Sequence, residues 1–252
     1  MTSPKLKTDI IVEARMNSSR LPGKVMKNIQ GFYALEILLS RLSLAKNIDD
    51  IIIATTNNCE DDIIVSLATK KNIKYFRGDE EDVLNRVTKA AENFNTDIII
   101  EITADDLFVE PSHITQVAQY YQANYGLIDV CCNDYILQVP LGFYVRAFSK
   151  SILIKIEQNN FERHYRENVE AYFYNNDEKF KFKNIIDDPK LCRQDLRLTL
   201  DTDEDLNLIS IITKELFLKN SNFTLREFID FMDKNPELKK INSGVKQKKL
   251  II

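Results

Sequence analysis

Three short isoleucine-rich runs, each opened by an aspartate, constrain this chain more than any other feature. They are Asp9-Ile10-Ile11-Val12, Asp50-Ile51-Ile52-Ile53-Ala54-Thr55 and Asp97-Ile98-Ile99-Ile100-Glu101-Ile102. Short runs of consecutive apolar, β-branched residues suit strands that are buried on both faces. Ile73-Lys74-Tyr75-Phe76 reads as a shorter strand of the same kind. Between the runs, residues near 33–46, 60–71 and 82–94 place apolar side chains at helical spacing. Strand and helix in alternation predict an α/β fold with a mostly parallel sheet covered by helices.

The second half is less regular. A strand near 128–132 is expected to lead into a hairpin, with Val139 to Phe148 as one arm. Helices are expected near 149–158 and 162–175, strands over Phe180 to Ile186 and Leu196 to Leu200, and helices near 203–218 and 224–234. Pro111, Pro140, Pro189 and Pro236 punctuate these elements. No Gly- or Ser-rich linker divides the chain, so residues 1–252 read as one domain with halves at 9–127 and 128–238 and a tail at 239–252. The tail is basic, then apolar; disorder and packing on a partner subunit are both open readings.

Composition excludes several functions. A net charge of −4 argues against a general nucleic-acid surface. No apolar run approaches the ~18 residues of a membrane span, and Met1 to Thr8 has no signal-peptide core, so a cytoplasmic protein is expected. Cys59, Cys131, Cys132 and Cys192 form no C-x-x-C pair, which argues against a zinc site or a disulfide framework.

The first strand runs into Glu13-Ala14-Arg15-Met16-Asn17-Ser18-Ser19-Arg20-Leu21-Pro22-Gly23-Lys24. Open α/β sheets bind ligands at the carboxyl ends of their strands. Arg15, Arg20 and Lys24, with Ser18, Ser19 and backbone N–H groups, suit a triphosphate. The loop is neither a Walker loop, since Ser18 replaces its first Gly and Val25 follows Lys24, nor a Gly-x-Gly-x-x-Gly fingerprint. The alternative is a solvated basic turn. Two acidic segments lie at other strand ends. In Thr103-Ala104-Asp105-Asp106 the carboxylates could hold Mg²⁺, or cap the helix beyond Pro111. In Arg197-Leu198-Thr199-Leu200-Asp201-Thr202-Asp203-Glu204-Asp205, Thr202 or Asp203 can cap a helix, which leaves Asp201 free.

These segments resemble the cytidylyltransferases of the spore-coat-polysaccharide and CMP-Kdo-synthetase superfamily. The loop is similar to their Q-A-R-M-x-S-x-R-L-P-G-K, with Glu13 in place of the usual Gln. Phe76-Arg77-Gly78-Asp79 through Arg86 resembles F-R-G-x-x-x-D-V-L-x-R, the 103–107 segment T-G-D-C-P, and the 197–206 segment R-L-T-V-D-T-P-E-D-L. The resemblance implies a Rossmann-like nucleotide-diphospho-sugar transferase fold, CTP as donor, Mg²⁺ on Asp105 and Asp201, and a homodimer whose second half is a mixed α+β dimerisation and acceptor region. It implies nucleotide contacts from Ala14, Arg15, Ser18, Arg20, Gly23, Lys24, Thr55, Arg77, Gly78 and Asp79, with Arg15 and Lys24 catalytic. For Asp79, a helix cap is an equal reading.

The acceptor region departs from the family. Pro140-Leu141-Gly142-Phe143-Tyr144-Val145-Arg146 stands where P-R-G-x-D-V-E is usual, so Tyr144 and Arg146 replace two acids. Phe161-Glu162-Arg163-His164-Tyr165-Arg166-Glu167-Asn168 is similar to a segment containing R-E-H-V. Arg146, Arg163, His164 and Arg166 can form an anion site, although a solvated helix face would also account for Arg163 and Arg166. Arg146 is the stronger candidate, because an unpaired charge in an apolar strand is costly. The expected activity is CMP transfer from CTP to a small phosphorylated acceptor, which needs no general base, with pyrophosphate released. Family members supply precursors for surface and capsular polysaccharide, and one acts on phosphoglutamine. CMP-sugar synthesis on a keto acid sugar, or a catalytically inactive nucleotide-binding scaffold, are the alternatives.

Overall fold

A computed structural model describes residues 5–136, 138–159, 162–186 and 188–247. Phe161 and residues 248–252 of the tail lie outside this set. In chain order, β1 (Thr8–Glu13) is followed by a small ribbon, β2 (Asn28–Ile29) and β3 (Phe32–Tyr33). Then come α1 (Ala34–Leu42), β4 (Asp50–Thr56), α2 (Asp62–Lys70), β5 (Lys74–Gly78), α3 (Val83–Asn93) and β6 (Ile98–Thr103). The second half adds α4 (Pro111–Ala123), β7 (Val130–Cys132), β8 (Arg146–Ser149), α5 (Lys150–Asn159), α6 (Arg163–Glu167), α7 (Val169–Asn175), β9 (Phe182–Asn184), α8 (Asp203–Ile212) and α9 (Leu225–Lys234). Among the described residues no helix is long and apolar enough to cross a membrane.

Seven strands form one sheet in the order β5-β4-β1-β6-β8-β7-β9. The pairs β5–β4, β4–β1, β1–β6 and β7–β9 are parallel, while β8 runs antiparallel to both β6 and β7. The isoleucine runs are buried on both faces, as their composition predicts. Ile10 and Val12 pack with Leu35 and Leu38 of α1 and Val117 of α4. Ile11 points the other way, into a cluster with Leu84 and Val87 of α3 and Leu153 of α5. Each such side chain contributes about 1.5–3 kcal/mol by leaving water.

The aspartates that open these runs have a physical cause. Lys7 Nζ lies 3.1 Å from Asp9 and 2.9 Å from Asp50, and its backbone N–H donates to Asp97 at 2.9 Å. One lysine thus ties three strand starts at the sheet edge opposite the loop. Three of the abundant asparagines also have a local role. Asn72 and Asn95 take a left-handed φ of 55° directly after the C-caps of α2 and α3, a place usually given to glycine, and Asn47, at φ 63°, turns the loop between α1 and β4.

Three expected elements differ. Of the arm Val139 to Phe148, only residues from Arg146 onward form a strand. The preceding segment is held by Asn133, whose amide donates to Phe143 O at 2.8 Å and accepts from Val145 N at 2.9 Å. Residues 196–200 make a single bridge, Leu141 to Arg197, rather than a strand. Gly142 permits that approach: its φ is +104°, and a Cβ there would come within 2.6 Å of Leu198 backbone. The helix expected over 162–175 breaks at Asn168, which is extended at φ −137°.

Candidate functional site

Chain topology places the site. After β1 the chain moves to β4 and β5 on one side, then crosses to β6 on the other. The carboxyl ends of β1 and β6 therefore flank a topological switch point, where open α/β sheets bind ligands. A cleft of about 1010 Å³ opens there, lined by the loop after β1, the residues after β6, and side chains of the second half.

The two strand-end carboxylates meet at Lys24. Its ammonium hydrogen-bonds to Asp105 Oδ2 and, at 2.9 Å, to Asp201 Oδ1. Arg20 and Arg197 each reach Asp201 Oδ2 at 2.8 Å, and Arg197 also bonds Asp205 at 2.9 Å. Burial opposes the charge on Asp201, but Lys24, Arg197 and Arg20 outweigh it and hold its carboxyl below the ordinary range. Neither acid is a helix cap. Thr202 caps α8 in a reciprocal box with Asp205, and the residue before α4 is Glu110. Two hard oxygen donors facing cations and a cleft are a donor set that suits Mg²⁺, which commonly takes one or two carboxylates and leaves its other positions to phosphate and water. An ammonium already rests between them, so the geometry tolerates a cation.

Asp106 is nearly buried in the same wall. Burial, then the charge of Asp105, push its carboxyl to about 7, opposed by Thr199.

Part of the loop backbone is engaged within the protein. The N–H groups of Ala14, Met16, Gly23 and Lys24 bond to Ala54 O, Asp61, Met16 O and Leu21 O respectively. Those four are engaged internally, which corrects the expected backbone cradle at these positions. Ala14, Arg15, Ser18, Arg20 and Lys24 line the cleft. Gly23 does not; it forms the turn that presents Lys24. Arg15 crosses to the β5–α3 turn, donating to Glu80 O at 3.1 Å.

The other predicted nucleotide contacts are not brought into the cleft. Thr55 is fully buried. Arg77 braces the turn after β4, bonding Thr56 O, Asn58 O and Asp62. Gly78 makes room for Arg86, whose Cγ would lie 2.9 Å from an added Cβ. Asp79 accepts from Glu81 N and Asp82 N, so it caps its own turn.

The acceptor residues require a correction. Tyr144 and Arg146 line the cleft, but Arg146 is already paired. Its guanidinium reaches Asp134 at 2.6 and 3.0 Å, Tyr174 Oη at 2.9 Å and Glu101 at 3.6 Å. Burial works against its charge, but Asp134, Tyr174, Glu170 and Glu101 together raise its pKa well above the ordinary value. Arg166 is held by Asp82 and Glu157, and Arg163 is an exposed partner of Glu81 and Glu167. The expected anion site is therefore not assembled.

What lines the inner cleft is acid: Glu13, Asp134 and Glu170, with Glu101 behind them. Burial, then Glu170, push the Glu13 carboxyl to about 7. Burial, then Glu13 and Glu170, push Glu101 well above the carboxylate range. The sequence signal was available only in part. Glu13 stood out as a departure, but the partners Asp134, Glu170 and Tyr174 come from segments with no motif.

The tail folds back on this site as far as it is described. Asn242 donates to Asp205 at 2.9 Å, Arg20 to Lys246 O at 3.0 Å, and Arg197 to Gln247 at 2.6 Å.

Known proteins resemble this chain in sequence and fold. A family model described as Cytidylyltransferase matches residues 10–239. An uncharacterised protein of Methanocaldococcus jannaschii is 37% identical over 240 residues, spanning 94% of this chain and 95% of its own. The spore coat polysaccharide biosynthesis protein SpsF of Bacillus subtilis is 30% identical over 240 residues, spanning 90% and 94%. The solved structure of a cytidylyltransferase from Leptospira borgpetersenii superposes with a TM-score of 0.88 at 27% identity, covering 97% of this chain and all of that one. A CMP:2-keto-3-deoxy-manno-octonic acid synthetase complexed with CTP has a TM-score of 0.63 at 14% identity, a likeness of fold alone.

Proposed function

This chain belongs to the cytidylyltransferase family, and on that premise we propose that it transfers CMP from CTP to a small hydroxyl-bearing acceptor in a Mg²⁺-dependent reaction. The observation that carries this reading is the meeting of Lys24, Asp105 and Asp201 at the β1–β6 switch point. Asp105 and Asp201 would hold Mg²⁺, whose contribution is to neutralise phosphate charge as pyrophosphate leaves. Arg15, Arg20 and Lys24 supply fixed positive charge to the triphosphate, which is worth most when charge builds on the leaving group. The walls of the cleft orient the acceptor for in-line attack on the α-phosphate.

The inner cleft favours a hydroxyl over a phosphate as the attacking group. A phosphorylated acceptor was expected because Arg146 replaced a family acid. In the structure that arginine is spent on Asp134 and Glu101, and the surface left to the acceptor is rich in carboxyls. Carboxylates accept hydrogen bonds from hydroxyls and repel phosphate. Relatives of this chain include 3-deoxy-manno-octulosonate cytidylyltransferases, matched over less than half of this chain. A product used in surface polysaccharide is consistent with SpsF as a relative.

Pyrophosphate release tests the reading directly. CTP should exceed ATP, GTP and UTP as donor, EDTA should abolish turnover, and 3-deoxy-manno-octulosonate and similar polyhydroxy acids should outperform phosphoglutamine and glycerol phosphate. Turnover confined to phosphorylated acceptors would overturn the hydroxyl assignment, and full activity in EDTA would overturn the metal assignment.

A further inference from the structure

We infer that Glu13 is the proton acceptor for the attacking hydroxyl and that Glu101, behind it, holds the proton that keeps this pair singly charged. The inference rests on the hydroxyl reading above and adds the group that takes the proton.

Geometry carries it. Glu13 ends β1 and lines the cleft, and its carbonyl accepts from Ala104 N at 3.0 Å, the residue beside Asp105. It therefore stands next to the phosphate-binding loop on one side and the acidic strand end on the other. Glu101 lies two residues before Thr103, the register partner of Glu13, so the two side chains share a face of the sheet. Glu101 is 2% exposed, and neither of its carboxyl oxygens has a hydrogen-bond donor from the rest of the protein. The Arg146 guanidinium stands 3.6 Å away, already committed to Asp134. The Glu13 charge pushes the Glu101 carboxyl up. Two neighbouring carboxyls on one face of the sheet, one of them buried without a donor, disfavour double ionisation and share one proton.

Three charged groups face the pair: Glu170 from α7, Arg86 from α3 and Arg146 from β8. Glu170 and the burial favour the protonated form, and the two arginines oppose it. Glu101, the group without a donor, keeps the proton, and Glu13, whose carboxyl is pushed up to about 7 by burial and Glu170, suits proton transfer near neutrality.

The step balances. The acceptor oxygen forms a bond to the α-phosphorus, and the bond from that phosphorus to the bridging oxygen of pyrophosphate breaks with its electron pair. The hydroxyl proton moves to Glu13, taking the pair from one negative charge to none, and later leaves through the cleft to water. A glutamine, usual at this position in the family that the loop resembles, could not take that proton.

The test uses the full chain. Carbon-13 carboxyl NMR of the free protein should show a titration near pH 7 that disappears in Glu13→Gln. A carboxyl held above its ordinary value of 4.5 binds its proton more tightly in the folded state. It therefore withdraws stability as pH rises from about 4.5 through about 7, so the Tm of Glu13→Gln should gain on wild type across that window. With CTP, Mg²⁺ and 3-deoxy-manno-octulosonate, or water as the slow default acceptor, Glu13→Gln should lower kcat about 100-fold or more. The KM for CTP should stay within about twofold, and the limb of the pH–rate profile near 7 should vanish. Hydroxyl transfer by Glu13→Gln at the wild-type rate with the limb intact would overturn the inference while leaving the hydroxyl reading standing. Transfer only to phosphate esters would overturn both. Absence of a glutamate carboxyl titrating near neutrality in the wild type, as distinct from Asp106, would overturn the shared proton.

Discussion

The two ends of the cleft handle charge in opposite ways. At the outer end Lys24, Arg20 and Arg197 converge on Asp201, and Lys24 also holds Asp105. Each charge there has an opposite partner, and Lys24 and Arg20 keep some contact with water. Such pairs can change partners at modest cost when a triphosphate arrives. At the inner end Glu13, Glu101, Asp134 and Glu170 face two arginines, Arg146 and Arg86, in a drier setting. With too few cations, that end lowers its charge by keeping protons, as buried Asp106 does behind Asp105 in the outer wall. The same residue type, a strand-end carboxylate, therefore serves as a permanent anion in one place and a proton carrier in another, according to its neighbours.

The contrast can be broken in three ways. The largest effect is expected from Arg146→Ala. It leaves Asp134 buried without its cation, and removal of one partner from a buried pair costs about 3–5 kcal/mol. Urea unfolding near pH 7 measures it. A loss below about 1 kcal/mol would mean that Arg146 is not the counter-charge of the inner end. Next comes Lys24→Ala, which removes charge from the outer end where the transition state needs it. The expected loss is about 2–4 kcal/mol in transition-state stabilisation, or roughly 30- to 900-fold in kcat/KM for CTP. Unchanged kinetics would reduce the outer end to a surface ion-pair cluster. The smallest effect belongs to Arg163→Ala. Its guanidinium is 71% exposed on neighbours that are themselves exposed. Stability should shift by less than about 0.5 kcal/mol, and steady-state rates by less than about twofold. A large rise in acceptor KM would restore the anion site that sequence reasoning placed there.

The outer end was legible in the sequence because its logic is local. A strand or an extended segment ends, a loop or helix begins, and a carboxylate sits at the junction; Asp105 after β6 and Asp201 before α8 satisfy that pattern, and Lys24 closes the contiguous loop after β1. The inner end depends on pairing across the sheet. Glu101 meets Arg146 only because β6 and β8 run antiparallel in that register, and Arg146 lies opposite Cys132 on the other side. No spacing along the chain announces this. The premise that a charge inside an apolar strand needs a partner was sound for Arg146, but the partner is internal rather than a ligand. Arg77, Gly78 and Asp79 are ambiguous for a related reason: they brace turns within the protein, and a turn that braces a loop and a turn that touches a nucleotide use the same residues.

Lys24 also bears on the order in which ligands enter. A divalent cation arriving alone would have to evict an ammonium that two carboxylates already satisfy. A cation arriving on CTP brings phosphate oxygens to which that ammonium can move, so eviction and relocation become one event. On the proposed metal reading the lysine would act as a turnstile: it would keep the acidic pair from collecting stray metal and admit the cation together with the nucleotide.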